Sequence, residues 1–335
     1  MDNLPRLLSV TLVVVVTLAG CRSGSPQGDA SVTHQDRKEY VRKKYADPAT
    51  GVIPDGIVGR SLDFARTLPG SRTRQMKGLD DVQADNVLAR GPWNVGGRTR
   101  ALALDLGDER IMFAAGVSGG LWRSTNSGIT WTKITPSDEL HSATALAQDP
   151  RPGQHNVWYL ASGESYGNSA QISGNGIRKS TDGGITWTTL SSTVVPSINA
   201  GHAFAYAWRI IVSPTTGAVF VATTRNGIFR STDGGSTWTN VFGTDSFFAD
   251  IVVSADGRLT AALSAFTGVQ NGTARRSGIF ESTDNGTTWS NISPPNLPAN
   301  VKRIVLALVP QQESDVMAIA ETPGVGTLGV FRLRD

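Results

Sequence analysis

Four near-copies of one eight-residue pattern restrict what this 335-residue chain can fold into. They are Ser-Thr-Asn-Ser-Gly-Ile-Thr-Trp (124–131), Ser-Thr-Asp-Gly-Gly-Ile-Thr-Trp (180–187), Ser-Thr-Asp-Gly-Gly-Ser-Thr-Trp (231–238) and Ser-Thr-Asp-Asn-Gly-Thr-Thr-Trp (282–289). Their first residues lie 56, 51 and 51 positions apart. A fixed period near 50 marks a repeat architecture in which each repeat is one small sheet. Each copy follows a short apolar run (Gly120-Leu121-Trp122-Arg123, Gly176-Ile177-Arg178-Lys179, Gly227-Ile228-Phe229-Arg230, Gly278-Ile279-Phe280-Glu281) and leads into a second one at its Thr-Trp pair. An Asp that accepts bonds from its own turn, next to a Gly that supplies positive φ, is hairpin chemistry.

Two more apolar runs precede each copy, at 209–212 and 218–223 for the third and at 250–254 and 259–264 for the fourth. Four strands per period of this length is the anatomy of a propeller blade. The runs are rich in Val, Ile and Ala without strict alternation, as for sheets covered on both faces by neighbours. No long helical period occurs between 95 and 335. The sequence therefore predicts an all-β chain of four-stranded antiparallel blades.

The eight-residue pattern resembles the Asp-box, or bacterial neuraminidase, repeat Ser-x-Asp-x-Gly-x-Thr-Trp. Three copies match fully, and the first carries Asn126 in place of Asp. The stretch Gly91-Pro92-Trp93-Asn94-Val95-Gly96-Gly97-Arg98-Thr99-Arg100 is similar to the lead-in of secreted bacterial propellers related to sortilin. The resemblance covers 91–335. It implies that Asn126, Trp131, Asp182, Trp187, Asp233, Trp238, Asp284 and Trp289 brace turns, distant from any ligand site.

After the fourth copy the pattern restarts at 303–309, 315–322 and 329–332. Leu333, Arg334 and Asp335 then fall on the Ser, Thr and Asp positions of a fifth turn. The expectation is four blades and an incomplete fifth. Two accounts of closure stand: a longer propeller cut short, or a missing strand supplied by the amino-terminal region.

Residues 1–20 read as a secretory leader, with Arg6 ahead of an apolar stretch at 7–19 that is too short for an ordinary spanning helix. It ends Leu18-Ala19-Gly20-Cys21, which resembles a bacterial lipoprotein box and implies lipidation of Cys21, the only cysteine. Arg22 after it, by the same resemblance, implies outer-membrane delivery. Residues 21–90 form a tether and linker, polar at first, with short helices expected at 36–45 and 60–67. A formal charge of +3 and the lack of a concentrated basic face argue against nucleic acid as a partner.

Candidate chemistry falls on the loops opposite the turns. Arg98, Arg100, Arg209 and Arg303 start inner strands near that face, and His202 and Arg275 lie on its long loops. Converging guanidinium groups can hold a carboxylate in bidentate fashion. Glu164 beside Tyr166 sketches the acid and nucleophile of a sialidase. Xyloglucanase-type propellers share the repeat and use two carboxylates, for which Asp250, Asp105 and Glu164 are candidates by composition; turn roles suit Asp105 and Asp149. The four histidines, His34, His141, His155 and His202, lack metal-ligand spacing, and no cofactor motif is present. The leading expectation is an envelope lipoprotein whose propeller binds protein or polysaccharide. The alternative is a glycoside hydrolase of xyloglucanase or sialidase type with a divergent site.

Overall fold

The computed structural model describes residues 46–54, 56–67, 98–136, 141–165, 171–195, 201–244, 246–265, 277–309, 312–322 and 326–333, with Glu39, Glu139 and the pairs 269–270 and 273–274. A helix, α1 (Ile57–Thr67), stands where 60–67 was expected, one turn longer at its start. The leader, Cys21 and, but for Glu39, the helix expected at 36–45 lie outside the described residues.

Among the described residues from Thr99 onward, five antiparallel blade sheets follow one another in sequence order, with one further two-stranded hairpin inserted in the fourth. The first is β1 (Thr99–Leu104), β2 (Met112–Gly116), β3 (Gly120–Ser124) and β4 (Thr132–Lys133). The second is β5 (Ala145–Gln148), β6 (Trp158–Ala161), β7 (Ile177–Ser180) and β8 (Thr188–Thr189). The third is β9 (Ala207–Val212), β10 (Val219–Thr223), β11 (Ile228–Ser231) and β12 (Thr239–Phe242). In the fourth, β13 (Phe248–Val253) and β14 (Leu259–Ser264) are followed by a small hairpin, β15 (Val269–Gln270) and β16 (Thr273–Ala274), before β17 (Gly278–Ser282) and β18 (Ser290–Asn291) complete the sheet. The fifth has three strands, β19 (Arg303–Val309), β20 (Gln312–Glu321) and β21 (Thr327–Leu333). These are the blades of a β-propeller. Of the expected fifth turn, Leu333 ends β21, and Arg334 and Asp335 are outside the described residues.

Both β10 and β14 are buried along their whole length, which explains their unbroken apolar runs. The core is divided into layers between blades. Phe113 of the first blade packs on Trp158 of the second at 4.6 Å, and Phe242 of the third stacks on Trp289 of the fourth at 4.7 Å.

The repeated turn builds these layers as well as reversing the chain. In the second copy the Ser180 hydroxyl donates to Asp182 at 2.7 Å and accepts from the Gly184 amide at 2.9 Å. The Asp182 carboxylate accepts the Thr186 amide at 2.9 Å and its hydroxyl at 2.5 Å. Asp233 and Asp284 repeat this with Thr237 and Thr288. Asn126 keeps the Thr130 amide bond and donates its own amide to the Thr130 hydroxyl, so the first turn closes without a charge. The tryptophans were expected to open the outgoing strands. Instead each strand starts one residue later, and the indole N–H of Trp131, Trp187, Trp238 and Trp289 donates back to the turn glycine's carbonyl at 2.9–3.2 Å. The turn glycine is where the preceding blade presses in. A Cβ on Gly184 (φ +77°) would lie 2.3 Å from a ring carbon of Phe113, and one on Gly286 would lie 2.9 Å from Phe220.

These bonds depress the turn carboxylates. Burial opposes ionisation of Asp182, but the Thr186 hydroxyl and amide outweigh it and hold the group at about 2. At Asp233 and Asp284 the hydroxyls of Thr237 and Thr288 lead in lowering the pKa further. A carboxylate lowered on folding stabilises the native state above its unfolded pKa of roughly 4 and loses that contribution as pH falls through its folded value. The melting temperature is therefore expected to fall steadily between about pH 4 and pH 2. Asp233→Asn, which copies the uncharged first turn, should fold and show a shallower acid slope. An unchanged slope in calorimetric melts would contradict the account.

Candidate functional site at the channel mouth

The inner strands β1, β5, β9, β13 and β19 line the centre, and their starting ends meet the long loops. All five blades contribute to one cluster there. Trp208 on β9 lies under the guanidinium of Arg100 from β1, with 4.5 Å from the charged carbon to the ring centroid. Arg303 of β19 stands 5.2 Å from the same ring and 4.4 Å from Phe248 of β13. Distances under about 6 Å place these cations in the attractive field of the ring faces. From the second blade, Glu164 pairs with Arg98 at 2.7 Å and approaches Arg100 at 3.8 Å. Its carboxylate is buried, while nearly half of the Arg98 side chain faces solvent.

Local backbone irregularity aims two of these side chains. The ladder between β1 and β2 slips between Thr99 and Ala101, leaving Arg100 as the extra residue. The ladder between β9 and β10 slips in the same place, between Ala207 and Arg209, leaving Trp208. A bulge adds one residue, bends the strand and redirects its side chain, a device common beside binding sites. Glu164 is held by a paired bridge to Ile172, and beside it Gly163 (φ +87°) approaches the Ala205 carbonyl so closely that a Cβ would lie 1.9 Å from the oxygen.

Just below the mouth, Asp250 is fully buried on β13. Its Oδ1 accepts from Arg209 Nε at 2.7 Å and from the Ile251 amide at 3.0 Å. Its Oδ2 accepts from Arg209 Nη2 at 2.9 Å and from the Leu306 amide at 2.8 Å. Arg209 also reaches the Leu306 carbonyl at 3.2 Å. The carboxylate thus accepts four bonds, one from its own strand and three that join the third, fourth and fifth blades.

The sequence-based candidates therefore separate. Arg98, Arg100, Arg303 and Glu164 do converge. Asp250 and Arg209, expected to serve catalysis and binding, hold the blades together. His202 caps a short turn: its Nδ1 accepts the Phe204 amide at 3.3 Å, its ring packs on Phe204, and burial lowers its pKa. Tyr166 and Arg275 lie outside the described residues. Asp105 and Asp149 hold turns at the far end, Asp105 through the Gly107 and Asp108 amides and Asp149 through Arg151. Among the described residues, no group of three or more His, Cys, Asp or Glu side chains could hold a metal. The sequence reading passed over Trp208, because nothing in Ala-Trp-Arg announces a bulge.

No protein-family model matches the chain. It is similar to a xyloglucanase of Paenibacillus sp, 30% identical over 328 residues that span 87% of this chain and 30% of the relative. A xyloglucanase of Hypocrea jecorina is 28% identical over 289 residues, 73% of this chain and 32% of the relative. Among solved structures, an ancestral GH74 enzyme superposes with a TM-score of 0.51 at 15% identity, covering 71% of this chain and 33% of that one. That likeness shows the shared propeller fold. The chain spans about a third of the length of the curated relatives it matches.

If Asp250 is a joint between blades, its loss is a folding defect. Asp250→Ala should cost about 3 kcal/mol, the low end for breaking a buried ion pair, because a third of the Arg209 side chain is already in water. Denaturant melts would show it. An unchanged midpoint would mean the carboxylate is not structural.

Proposed function

We propose that this chain is a glycoside hydrolase-like propeller that recognises a xyloglucan-type polysaccharide at the channel mouth. The observation that carries the reading is the cluster of Arg100, Trp208 and Arg303, built from three blades and aimed by two bulges. Guanidinium N–H groups are donors suited to sugar hydroxyls, and aromatic edges and faces suit the apolar C–H surfaces of a pyranose ring. Similarity to two xyloglucanases along most of the chain supports this class of ligand over a protein partner. The chemical step is a separate matter. An acid–base pair needs two carboxyls on either side of the scissile bond, with open oxygens. Asp250 has none open, and Glu164 is held beneath Arg98. In this reading Glu164 positions Arg98 and Arg100 and does not itself transfer protons.

The full chain should be retarded in native gels containing xyloglucan, and Trp208→Ala should weaken that retardation by about tenfold, roughly the loss of one good aromatic contact. Absence of retardation in folded protein would refute the proposal. Release of reducing ends that Glu164→Gln abolishes would instead make Glu164 an acid or base.

We further propose that the protein is carried on the bacterial outer membrane by lipid on Cys21, on the strength of Leu18-Ala19-Gly20-Cys21 and the polar tether after it. Several acyl chains, each buried CH₂ contributing roughly 0.8 kcal/mol, would hold it there firmly. Cys21→Ser should move the protein from the detergent-extracted membrane fraction to the soluble one. An unchanged distribution would exclude the anchor.

A further inference from the structure

Among the described residues, three other than glycine hold a positive φ: Ser127, Arg225 and Asn285. Ser127 and Asn285 share one position of the repeated turn, where the second and third copies have Gly183 and Gly234. Arg225 (φ +75°) stands apart, in the connection between β10 and β11. A long side chain in the left-handed region is an outlier, and the neighbouring Asn226 is of a type that enters it far more readily. Pairing to the fourth blade imposes the conformation. Thr224 forms an isolated bridge with Phe248, and the Arg225 amide donates to the Phe247 carbonyl at 2.7 Å. The Thr224 amide and hydroxyl reach the carbonyls of Tyr206 and Ser165 at 3.0 and 3.4 Å. Each of these bonds uses backbone or Thr224, so none of them requires an arginine at 225.

The side chain so placed lies on the mouth face. Arg225 is exposed, with its charged carbon 4.8 Å from the centre of the Phe247 ring, and among the described residues no carboxylate pairs with it. Phe247 meets Phe248 edge-on at 4.7 Å, and Phe248 lies 4.4 Å from the guanidinium of Arg303, which leads on to Trp208. One row of rings and guanidinium groups thus runs from the channel mouth across the join of the third and fourth blades. Both phenylalanines are buried, so the open polar group at the outer end of the row is the Arg225 guanidinium. Stacking on a ring holds that group with its N–H edge free for acceptors in its own plane. Covering Phe247 needs only an apolar stem, so the strain at 225 is carried for the charged head, and strain of this kind gathers at functional positions. We propose that Arg225 is a second contact for the polysaccharide, and that the bound chain runs outward from Trp208 over the join of the third and fourth blades. This rests on the mouth being the ligand site; it adds the direction of the chain and the residue that holds its outer part through sugar oxygens.

Two substitutions in the full chain test this, with retardation by xyloglucan and thermal melting as readouts. Arg225→Gly removes the head and relieves the backbone, so the melting temperature should not fall. Arg225→Met keeps an apolar cover on Phe247 and loses only the donors. Both should weaken retardation about fivefold, the size of one net hydrogen bond made in water. Combined with Trp208→Ala, the Arg225→Gly loss should multiply, as for two separate contacts with one ligand. Retardation at the wild-type level in either single variant overturns the proposal, as does a double variant no weaker than Trp208→Ala alone. If Trp208→Ala weakens binding and the Arg225 variants do not, the mouth remains the ligand site and the outward path is wrong. If folded wild-type protein is not retarded at all, the mouth reading fails and this inference falls with it.

Discussion

Contact between a turn glycine and the side chain of the preceding blade underlies the rest of this molecule. A four-stranded sheet with outer strands of two to four residues buries too little to persist alone. Each blade gains its stability by laying one face on the next, and a fully buried Phe or Leu contributes roughly 1.5–3 kcal/mol. Phe113 can reach the second blade only because Gly184 has no side chain there, and Leu190 reaches the third because of Gly235. The Ser, the Asp (Asn126 in the first turn) and the Thr of each turn keep that glycine in its positive-φ position. A local hydrogen-bond brace thereby becomes a long-range packing device.

That regular stacking sets the geometry of the centre. With the outer rim fixed by the turns, the inner strands converge and their charged residues meet at close range. The chain handles this with two arrangements. Arg209, Asp250 and the Leu306 backbone form a closed set that ties three blades. Above it, the bulges at Arg100 and Trp208 turn side chains out of the ladder toward the mouth. Regular packing provides the platform, and two local departures from it provide the candidate site.

The blades were legible in the sequence because hairpin chemistry is local: Asp, Gly and the flanking apolar runs lie within a dozen residues. Even the fifth sheet was visible, since Gly329-Val330-Phe331-Arg332 repeats Gly227-Ile228-Phe229-Arg230. The site was only half legible. Arg98, Arg100 and Arg303 could be placed near one face by their position at strand starts. Composition did not distinguish Asp250, whose partners lie 41 and 56 residues away, from a carboxylate facing solvent. Nor could it show Trp208, whose orientation depends on a one-residue slip in a ladder.

The contrast between Asp250 and Glu164 explains why a search for paired carboxylates is a poor guide in a fold of this kind. A propeller gathers the starts of its inner strands in a narrow space, so acids and bases meet there for structural reasons. What separates structural from functional members is how their polar atoms are used. Asp250 accepts from four donors of the chain itself and is sealed from water. Glu164 is equally buried, but it pairs with Arg98, whose side chain reaches into solvent. Its charge therefore bears on the surface through another residue. Under the proposed reading, the guanidinium groups and Trp208, rather than either carboxylate, are the groups that a polysaccharide would meet first.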